Sequence, residues 1–438
     1  MPPPIHPSAA DPTAEPDDAL LDRFQSAAFG YFLETFNPAN GLIADSTRPG
    51  APASIAVVGF ALSAYPVGVE RGWITRAEAA SRTLTALRFF WSARQHGADG
   101  ATGHRGFFYH FLDMTTGARA WRCELSPMDT ALLIAGMLTA AAHFTDDTPA
   151  EVEIRHLADA IYRRVDWRWA QGGHATIRQG WKPKRGFLPY DWEGYNEAMV
   201  LYALGLASPT HPLSDDSYAA WTRTYRWENI YGRELLYAGP LFIHLFSHAW
   251  IDLAGLRDRF MREKDSDYFE NSRQAVWVQR EYGRRNPCGF SGYDEDGWGL
   301  TAGDGPGPRT VQIDRRKLRI LGYAARGVPL GPDDGTLAPW APLAALPFAP
   351  EFALSALRRL CARYPGVVAG ARFPSGFNPT LTRAGPEGWI SDGYFGLDQG
   401  IVVLMIENFR SGLIWRLMRT CPYLRLGLTG AGFQGGWL

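Results

Sequence analysis

The chain has 438 residues, with 44 Lys and Arg against 45 Asp and Glu, and a formal net charge of -1. This balance lacks the basic surface that binding to nucleic acid or to an anionic membrane requires. With 46% hydrophobic and 20% charged residues, the composition is that of a globular protein with a large core, which excludes disorder for most of the chain. We therefore expect neither nucleic acid nor a membrane as a partner.

The cysteines and the N-terminal segment give two further indications about the chain. The four cysteines lie far apart and have no metal-ligand spacing, which predicts neither a zinc site nor a disulfide framework. Residues 1–17 are rich in Pro, Ala and Asp and predict a disordered tail before a single domain at 18–438. No export signal is visible in the tail. The compartment stays open between the cytoplasm and, if a leader was removed, the periplasm.

Helical periodicity dominates the rest of the chain. In residues 18–36 apolar side chains recur every three or four positions, and capping residues Thr75, Ser126 and Thr148 start three further helices. The predicted helices are 18–36, 54–70, 75–95, 126–144, one from 148 onward, 194–207, 214–226, 238–255, 267–285, 336–347, 350–364 and 398–418. This pattern of about twelve helices predicts an all-α fold.

The lengths of the connections suggest how these helices are arranged. Long loops at 37–53, 96–125, 168–193, 286–335 and 365–397 alternate with short connections. If consecutive helices are antiparallel, the long loops all emerge at one end of the molecule. Twelve such helices can close as an (α/α)6 barrel, in which the more apolar even-numbered helices form the inner ring. A solenoid of helix pairs is the alternative, and the absence of a fixed repeat disfavours it.

One long loop carries a strand signal. Residues 106–125 alternate aromatic and polar side chains around Thr115, Thr116 and Gly117. Alternation of this kind around turn residues is typical of a β-hairpin. We expect a small hairpin at the mouth formed by the long loops.

Three acidic residues are predicted in the first turns of inner helices, where their side chains would face this mouth. They are Asp129, Glu197 and Asp398, and the sequence around each is poor in other charges. Each one alone could simply complement the helix dipole, and Asp129 could form a capping box with Ser126. Three of them at one rim favour a catalytic site.

Aromatic residues are abundant in the same loops. They include Trp121, Trp181, Trp192, Trp227, Tyr231, Trp298, Phe377, Trp389 and Tyr394. Stacking of flat rings on sugars, beside paired carboxylates that act as acid and base, is the arrangement used in carbohydrate hydrolysis. The alternative is that these rings anchor the loops on the core.

Other chemistries have less support. The chain has no phosphate-binding glycine motif, so no nucleotide cofactor is expected. His244 and His248 are four residues apart, but the Glu of a zinc protease is missing, so we expect core histidines and no metal. The segment GFSGY around Ser291 differs from the GxSxG motif of serine hydrolases.

Several segments together resemble one known family. They are GFFYHFLD at 106–113, ELSPMDTALLIAG at 124–136, YNEAMVLYALGLASPTHPL at 195–213, WGLTAGDGPG at 298–307 and GLDQGIVVLMIENFRSGLIW at 396–415. In this order they resemble the glucoamylase-like domain of bacterial β-1,2-glucanases (glycoside hydrolase family 144 and relatives) and of cyclic β-1,2-glucan synthases. The resemblance covers about residues 22 to 420.

The resemblance implies an (α/α)6 barrel and an inverting hydrolase of β-1,2-glucan, which we expect to act internally on the chain. It implies that Glu197 is the general acid, and that Asp129 and Asp398 serve the base side or hold the sugar. In such relatives the proton can pass through a sugar hydroxyl or water. A transglycosylase, an exo-acting enzyme and a non-catalytic glucan-binding protein are the alternatives.

The matched motifs and mouth loops also supply candidate substrate-binding residues. These are Trp121, Glu124, His110, Trp192, Tyr195, Asn196, Trp298, Asp304, Trp389, Gln399, Glu407 and Arg410. Glu407 and Arg410 fall deeper on the last helix, where they could support the site or brace the core. Pro127 stands where relatives tend to have Thr, and Gly303 where Ser is usual, so substrate preference could differ from theirs.

Overall fold

The computed structural model describes residues 15–313 and 316–438, and helices dominate this part of the chain. The α-helices are Asp17–Glu34 (α1), Ile55–Glu70 (α2), Arg76–Ser92 (α3), Pro127–His143 (α4), Pro149–Arg164 (α5), Trp167–Ala170 (α6), Met199–Leu206 (α7), Ser217–Thr222 (α8), Arg259–Glu263 (α9), Tyr268–Arg285 (α10), Ala341–Ala344 (α11), Pro350–Arg363 (α12), Gly396–Arg410 (α13), Leu413–Arg419 (α14) and Pro422–Gly430 (α15). Short 3-10 helices lie at Leu241–His244, Phe246–Ala249, Ala369–Ala371 and Thr382–Ala384. Most of the predicted tail, residues 1–14, lies outside the described residues.

Strands are short, and those described pair two by two in antiparallel fashion within the connections. The pairs are Ala53–Ser54 with Phe111–Leu112, Gly103–His104 with Phe107–Phe108, Trp181–Lys182 with Gly186–Phe187, Trp227–Ile230 with Arg233–Leu236, Leu256–Arg257 with Gln434–Gly435, Ala302–Gly303 with Ala324–Ala325, Arg309–Ile313 with Arg316–Ile320, and Phe377–Asn378 with Trp389–Ile390. The fold is therefore mostly helical with small, separate sheets. No helix in the described ranges combines the length and apolarity needed to cross a bilayer.

The helix starts that rest on local signals are confirmed. The hydroxyls of Thr75, Ser126 and Thr148 each accept a hydrogen bond from the backbone N–H three residues later. The predicted apolar stripe of α1 is buried throughout. These features depend on neighbours in the chain, which explains why the sequence predicts them correctly.

The helices fall into two classes by burial. Nearly every residue of α2 and α4 is buried, whereas α3 and α5 bury one face only. The helices α2 and α4 touch backbone to backbone, because a Cβ on Gly136 would lie 2.1 Å from the carbonyl oxygen of Gly59. Similarly, a Cβ on Gly400 of α13 would lie 2.6 Å from Phe60 of α2. The largely buried helices α4 and α13 thus pack closely against α2, and they carry two of the predicted acids.

The predicted helix at 398–418 is interrupted. Its chain bends at Gly412, which has a φ of 69° in the left-handed region, and α13 and α14 form on either side. Glycine adopts this conformation without the steric cost that other residues meet. The helix α15 was not predicted, and it packs on α7 through Gly427, whose Cβ would lie 1.8 Å from the Ala203 carbonyl oxygen.

Three other predicted helices are shorter than expected. Residues 238–255 form two 3-10 turns, because Ser272 and Trp415 donate hydrogen bonds to the carbonyls of His244 (2.7 Å) and His248 (2.7 Å). Those carbonyls are therefore satisfied from outside the segment. Of the other two, 336–347 contains prolines and reduces to α11, and 214–226 reduces to α8 because its end joins a hairpin.

The hairpin predicted at 106–125 forms only in part. Two bridges, Leu112 to Arg119 and Tyr109 to Leu125, join its two sides across the predicted turn. The strand Phe111–Leu112 also pairs with Ala53–Ser54, directly before α2. The aromatic alternation was thus a correct strand signal, but the strands of this segment pair with Ala53–Ser54 and Gly103–His104, outside the predicted hairpin.

Candidate active site

Glu197 lies in a turn directly before α7 and not within its first turn, which corrects the prediction from the sequence. Asn196 Oδ1 accepts hydrogen bonds from the backbone N–H of Ala198 and from Trp221 Nε1, both at 3.1 Å. Ser247 Oγ donates to the Glu197 carbonyl at 2.9 Å. Asn196 therefore fixes the backbone that presents the Glu197 side chain.

The environment of the Glu197 carboxyl favours its protonated form. Burial raises its pKa, and the charge of Asp129 raises it further, to about 7. Glu197 as a residue is nevertheless only half-buried and keeps some contact with solvent. A carboxyl group that is half protonated at neutral pH and accessible can act as a general acid.

Asp129, in the first turn of α4, belongs to a chain of charged groups. Its carboxylate accepts a hydrogen bond from Ser126 Oγ and lies 3.7 Å from His110 Nε2. The other ring nitrogen, His110 Nδ1, lies 2.9 Å from Glu124 Oε1. Burial lowers the pKa of His110, but Asp129 and Glu124 outweigh it and bring the pKa to about 9. The hydrogen bond from His110 holds the pKa of Glu124 at about 2. A cation thus lies between two carboxylates at neutral pH.

Asp398 lies in the first turn of α13 and is almost completely buried, with 7% of its surface exposed. Burial raises its pKa to about 8; Ser375 opposes this through a hydrogen bond, and the charges of Asp45 and Asp304 add to it. Its Oδ2 atom has no hydrogen-bond partner among the described residues. A buried carboxyl oxygen of this kind is available to a sugar hydroxyl or a water.

Asp304 lies at the edge of this group of acids and is held in an ion pair. Arg48 binds its carboxylate, and Ser391 Oγ donates to Asp304 Oδ2 at 2.8 Å. Arg326, which is fully buried, donates to the Asp304 carbonyl at 3.3 Å and to Asp334 at 2.7 Å. Asp304 N also donates to Ser375 Oγ, and Ser375 hydrogen-bonds Asp398. The expected substrate-binding Asp304 therefore lies near Asp398, with its carboxylate paired to Arg48.

Asp45 is a further acid that the sequence analysis missed. Its carbonyl accepts a hydrogen bond from Gly396 N at 2.9 Å, which places it beside the start of α13. Burial raises the pKa of Asp45 to about 6, with His110 opposing and Asp129 adding to the shift. Asp45 thus interacts with both Asp129 and Asp398. Its position in the long loop 37–53 was a signal, but no capping or motif spacing marked it.

Of the predicted aromatics, Trp121 is best placed to meet a ligand. It is 67% exposed, and its ring lies 5.0 Å from that of Phe111. Phe111 in turn stacks on His110 at 3.9 Å. The three rings thus lie in contact from the exposed Trp121 to His110, which neighbours Asp129. Trp181 is hydrogen-bonded through its backbone to Leu125, next to Glu124.

Trp192 and Trp389 are half-buried in the mouth loops. The indole Nε1 of Trp192 is buried and has no partner in the described part of the chain. Trp389 belongs to a strand pair, opposite Asn378. Both rings keep some exposed surface, so they stay candidates for contact with substrate.

Several other candidate contact residues have side chains that pack into the interior. Trp298 and Phe377 are 2% and 1% exposed, so neither offers a face to a sugar. The Tyr195 ring packs against His244 at a centroid distance of 5.1 Å. Gln399 is fully buried and donates to the Phe373 carbonyl. These residues brace the site from behind.

Cation contacts occupy the remaining predicted aromatics. Arg285 lies 4.2 Å from the ring centroid of Tyr231, and Lys264 lies 5.5 Å from that of Trp227. The Tyr394 hydroxyl donates to a backbone carbonyl at 3.3 Å. These interactions fit loop anchors, which was the alternative considered from the sequence.

Glu407 and Arg410 do not lie at the site. Glu407 is 1% exposed and accepts hydrogen bonds from Arg71 (2.8 Å) and Gln25 (3.0 Å). Arg410 pairs with carboxylates of α1. Glu407 follows Asp398 by nine residues on the same helix, or about 13 Å along its axis. In the structure they brace the core, which was one of the two roles expected for them.

The histidines at 244 and 248 are core residues, as expected. His244 lies within hydrogen-bond distance of the Ala238 carbonyl and of Asn271, and His248 within that of Ser272. Burial lowers the pKa of His244 to about 4 and that of His248 to about 3. Both are therefore neutral at physiological pH and hold the 3-10 turns against α10.

Comparison with known proteins identifies the family of this chain. A family model described as putative glucoamylase matches residues 189–422. An exo β-1,2-glucooligosaccharide sophorohydrolase (non-reducing end) from Parabacteroides distasonis is 30% identical over 94% of this chain. The chain spans 57% of the length of that relative.

Two solved structures are similar over nearly their whole length. A putative glucoamylase from Bacteroides uniformis is 31% identical, with a TM-score of 0.83 over 97% of this chain and 99% of that one. An endo-β-1,2-glucanase from Chitinophaga pinensis, in complex with sophorotriose and glucose, is 27% identical, with a TM-score of 0.83 over 97% of this chain and 100% of that one. The chain belongs to the glucoamylase-like family.

Proposed function

We propose that this protein is a glycoside hydrolase that cleaves β-1,2-glucan, with Glu197 as the general acid. The observation that carries the proposal is the Glu197 carboxyl itself, whose pKa is about 7 beside Asp129 in a group of interacting acids. A proton held there near neutral pH can be given to the oxygen of the leaving sugar. The β-1,2 linkage is supported by the activities named for the Parabacteroides and Chitinophaga proteins.

Asp398 is the best candidate for the base side of the reaction. Its free Oδ2 atom can accept a proton from a water or from a sugar hydroxyl that relays the proton. Asp129 is already held by Ser126 and faces His110, so we assign it to raising the proton affinity of Glu197. With an acid and a base acting on opposite sides of the sugar, the reaction inverts the anomeric centre.

We infer further that the helices close as an (α/α)6 barrel and that the enzyme cuts within the chain. The close packing of α2, α4 and α13, which are buried on all sides, supports an inner ring. Endo action is supported by the Chitinophaga endo-glucanase, which is matched over its full length.

Exo action is a second candidate for the mode of cleavage. It is favoured by the name of the Parabacteroides relative, which releases sophorose units from a chain end. That relative contains a large part which this chain does not match, so its mode of action need not be shared.

A panel of linear β-1,2-, β-1,3-, β-1,4- and β-1,6-glucans tests the proposal. We expect products from the β-1,2-glucan alone, with a mixture of sizes early in the reaction if action is endo, and only disaccharide if it is exo. NMR in the first minutes should show the α-anomer, as inversion requires. Turnover of another linkage, or of none, would contradict the proposal, and longer or cyclic products would show a transglycosylase.

A further inference from the structure

Tyr323 is a large aromatic residue that no motif indicated. It follows the strand pair Arg309–Ile313 and Arg316–Ile320 and is 76% exposed. It is the most exposed large hydrophobic side chain among the described residues. Aromatic rings with a polar tip that are left open to solvent are well suited to contact a partly apolar ligand such as a sugar.

The backbone that carries Tyr323 is tied to the Asp304 segment through Arg326. The guanidinium of Arg326 donates to the carbonyl of Gly322 at 3.1 Å, directly before Tyr323. The same group donates to the carbonyls of Gly303 (3.1 Å) and Asp304 (3.3 Å). The backbone of Tyr323 therefore lies beside Asp304, the acid that neighbours Asp398.

Backbone packing holds the segment before Tyr323 in a fixed position. A Cβ on Gly305 would lie 2.5 Å from the Leu321 carbonyl oxygen and 2.6 Å from that of Gly322. The two backbone segments thus approach closely, with the Arg326 guanidinium between them. A buried ion pair with Asp334, at 2.7 Å, holds the Arg326 guanidinium in place. An exposed ring on a fixed backbone loses little freedom when it binds a ligand.

The Tyr323 hydroxyl lies within electrostatic reach of the candidate acids. Although the ring is exposed, burial around the hydroxyl raises its pKa, and the charges of Asp398, Glu197, Asp45 and Asp129 raise it to about 12. All four acids therefore lie close enough to influence it. At working pH the hydroxyl keeps its proton and can donate a hydrogen bond.

We propose that Tyr323 is a substrate-contacting residue, whose ring covers a glucose unit at the cleft and whose hydroxyl donates a hydrogen bond to it. This inference rests on the proposed glucanase function and adds a binding residue to it. It assigns to the long segment 286–335 a direct part in holding the glucan over the acids.

The test compares Tyr323→Ala and Tyr323→Phe in steady-state kinetics on a linear β-1,2-glucooligosaccharide. Loss of a ring contact worth about 1.4 kcal/mol corresponds to about a tenfold rise in KM for the Ala variant. Loss of the hydroxyl alone corresponds to about a threefold rise for the Phe variant. We expect kcat to change less than KM in both, and the melting temperature to stay that of the wild type.

Phe409→Ala is the matched control. Phe409 is 40% exposed and lies on α13 eleven residues after Asp398, which is about 16 Å away along the helix. Its removal should leave KM and kcat unchanged.

A second readout separates this inference from the proposed function. In the inactive Glu197→Gln background, calorimetry should show that the same oligosaccharide binds and that adding Tyr323→Ala weakens binding about tenfold. An unchanged KM and Kd in the Ala variants, with the wild type cleaving the glucan, would overturn the inference alone. Failure of the wild type to cleave or bind β-1,2-glucan would overturn the proposed function.

Discussion

The two ends of helix α13 each bury one carboxyl group, and they treat it in opposite ways. At the C-terminal end Glu407 is paired with Arg71 and Gln25, and Ser411 Oγ donates to it at 2.6 Å. At the N-terminal end Asp398 has no cation beside it, and its Oδ2 atom has no partner among the described residues. Burial raises its pKa to about 8.

This difference separates a stabilising acid from a reactive one. A buried carboxyl group with its hydrogen bonds complete adds specificity and stability, and breaking its ion pair is costly. A buried carboxyl group without a counter-charge is unfavourable to folding, and such groups cluster at functional sites. The same helix thus supports the core at one end and offers a free proton acceptor at the other.

The largest expected effect is on activity, at the Asp398 end. Asp398→Asn should lower kcat/KM on β-1,2-glucan by about a thousandfold, since an amide cannot accept the proton. Its melting temperature should not fall, because no ion pair is lost. Asp392→Asn, at an exposed carboxyl six residues earlier, is the control and should be nearly normal. A variant of Asp398 that loses stability but keeps kcat/KM would reverse the comparison.

The next effect is on stability, at the Glu407 end. Glu407→Gln should lower the free energy of unfolding by about 3 kcal/mol, because Arg71 loses its counter-charge. Activity per folded molecule should be retained. Glu263→Gln, at the exposed pair with Arg259, should change the stability by less than about 0.5 kcal/mol. Denaturant unfolding measures both. Equal stabilities for the two variants would contradict the bracing role of Glu407.

The pH dependence of kcat/KM sharpens the contrast further. Glu197, with a pKa of about 7, must keep its proton, so activity should fall as the pH rises above that value. Asp398, with a pKa of about 8, must lose its proton, so activity should fall as the pH drops below that value. The profile should be a narrow bell centred between pH 7 and 8, falling about tenfold per pH unit on each side. A flat profile from pH 5 to 9 would exclude this pair.

The smallest effect concerns the break after α13. Gly412→Ala should lower the free energy of unfolding by about 1 kcal/mol, because alanine is strained at a φ of 69°. Gly430→Ala, within α15, should be neutral or slightly stabilising, since the nearest atom is 4.0 Å from the added Cβ. The melting temperature of Gly412→Ala should therefore lie below that of Gly430→Ala by about 1 to 2 °C, the shift expected for a chain of this length.

Local features were predictable from the sequence. The caps at Thr75, Ser126 and Thr148 and the buried stripe of α1 depend on residues three or four positions apart, and each is confirmed. Asp129 and Asp398 lie in the first turns of their helices, as predicted from the helix starts, whereas Glu197 precedes α7.

Features that depend on distant residues were not predictable. Residues 238–255 carry a helical pattern, but side chains from α10 and α14 satisfy their carbonyls and leave 3-10 turns. Whether Glu407 faces the cleft or the core depends on Arg71, more than three hundred residues away. Asp45 and Tyr323 reach the site from loops, where no periodicity reports the direction of a side chain.

The most direct test of the account is the activity of Glu197→Gln on linear β-1,2-glucan, measured beside Glu193→Gln. Glu193 lies on the same loop, exposed and paired with Arg223 at 3.1 Å, and its variant should keep near-normal turnover. We predict that Glu197→Gln loses at least about a thousandfold in kcat while its melting temperature is unchanged. Near-normal turnover by the Glu197→Gln protein would contradict the central claim.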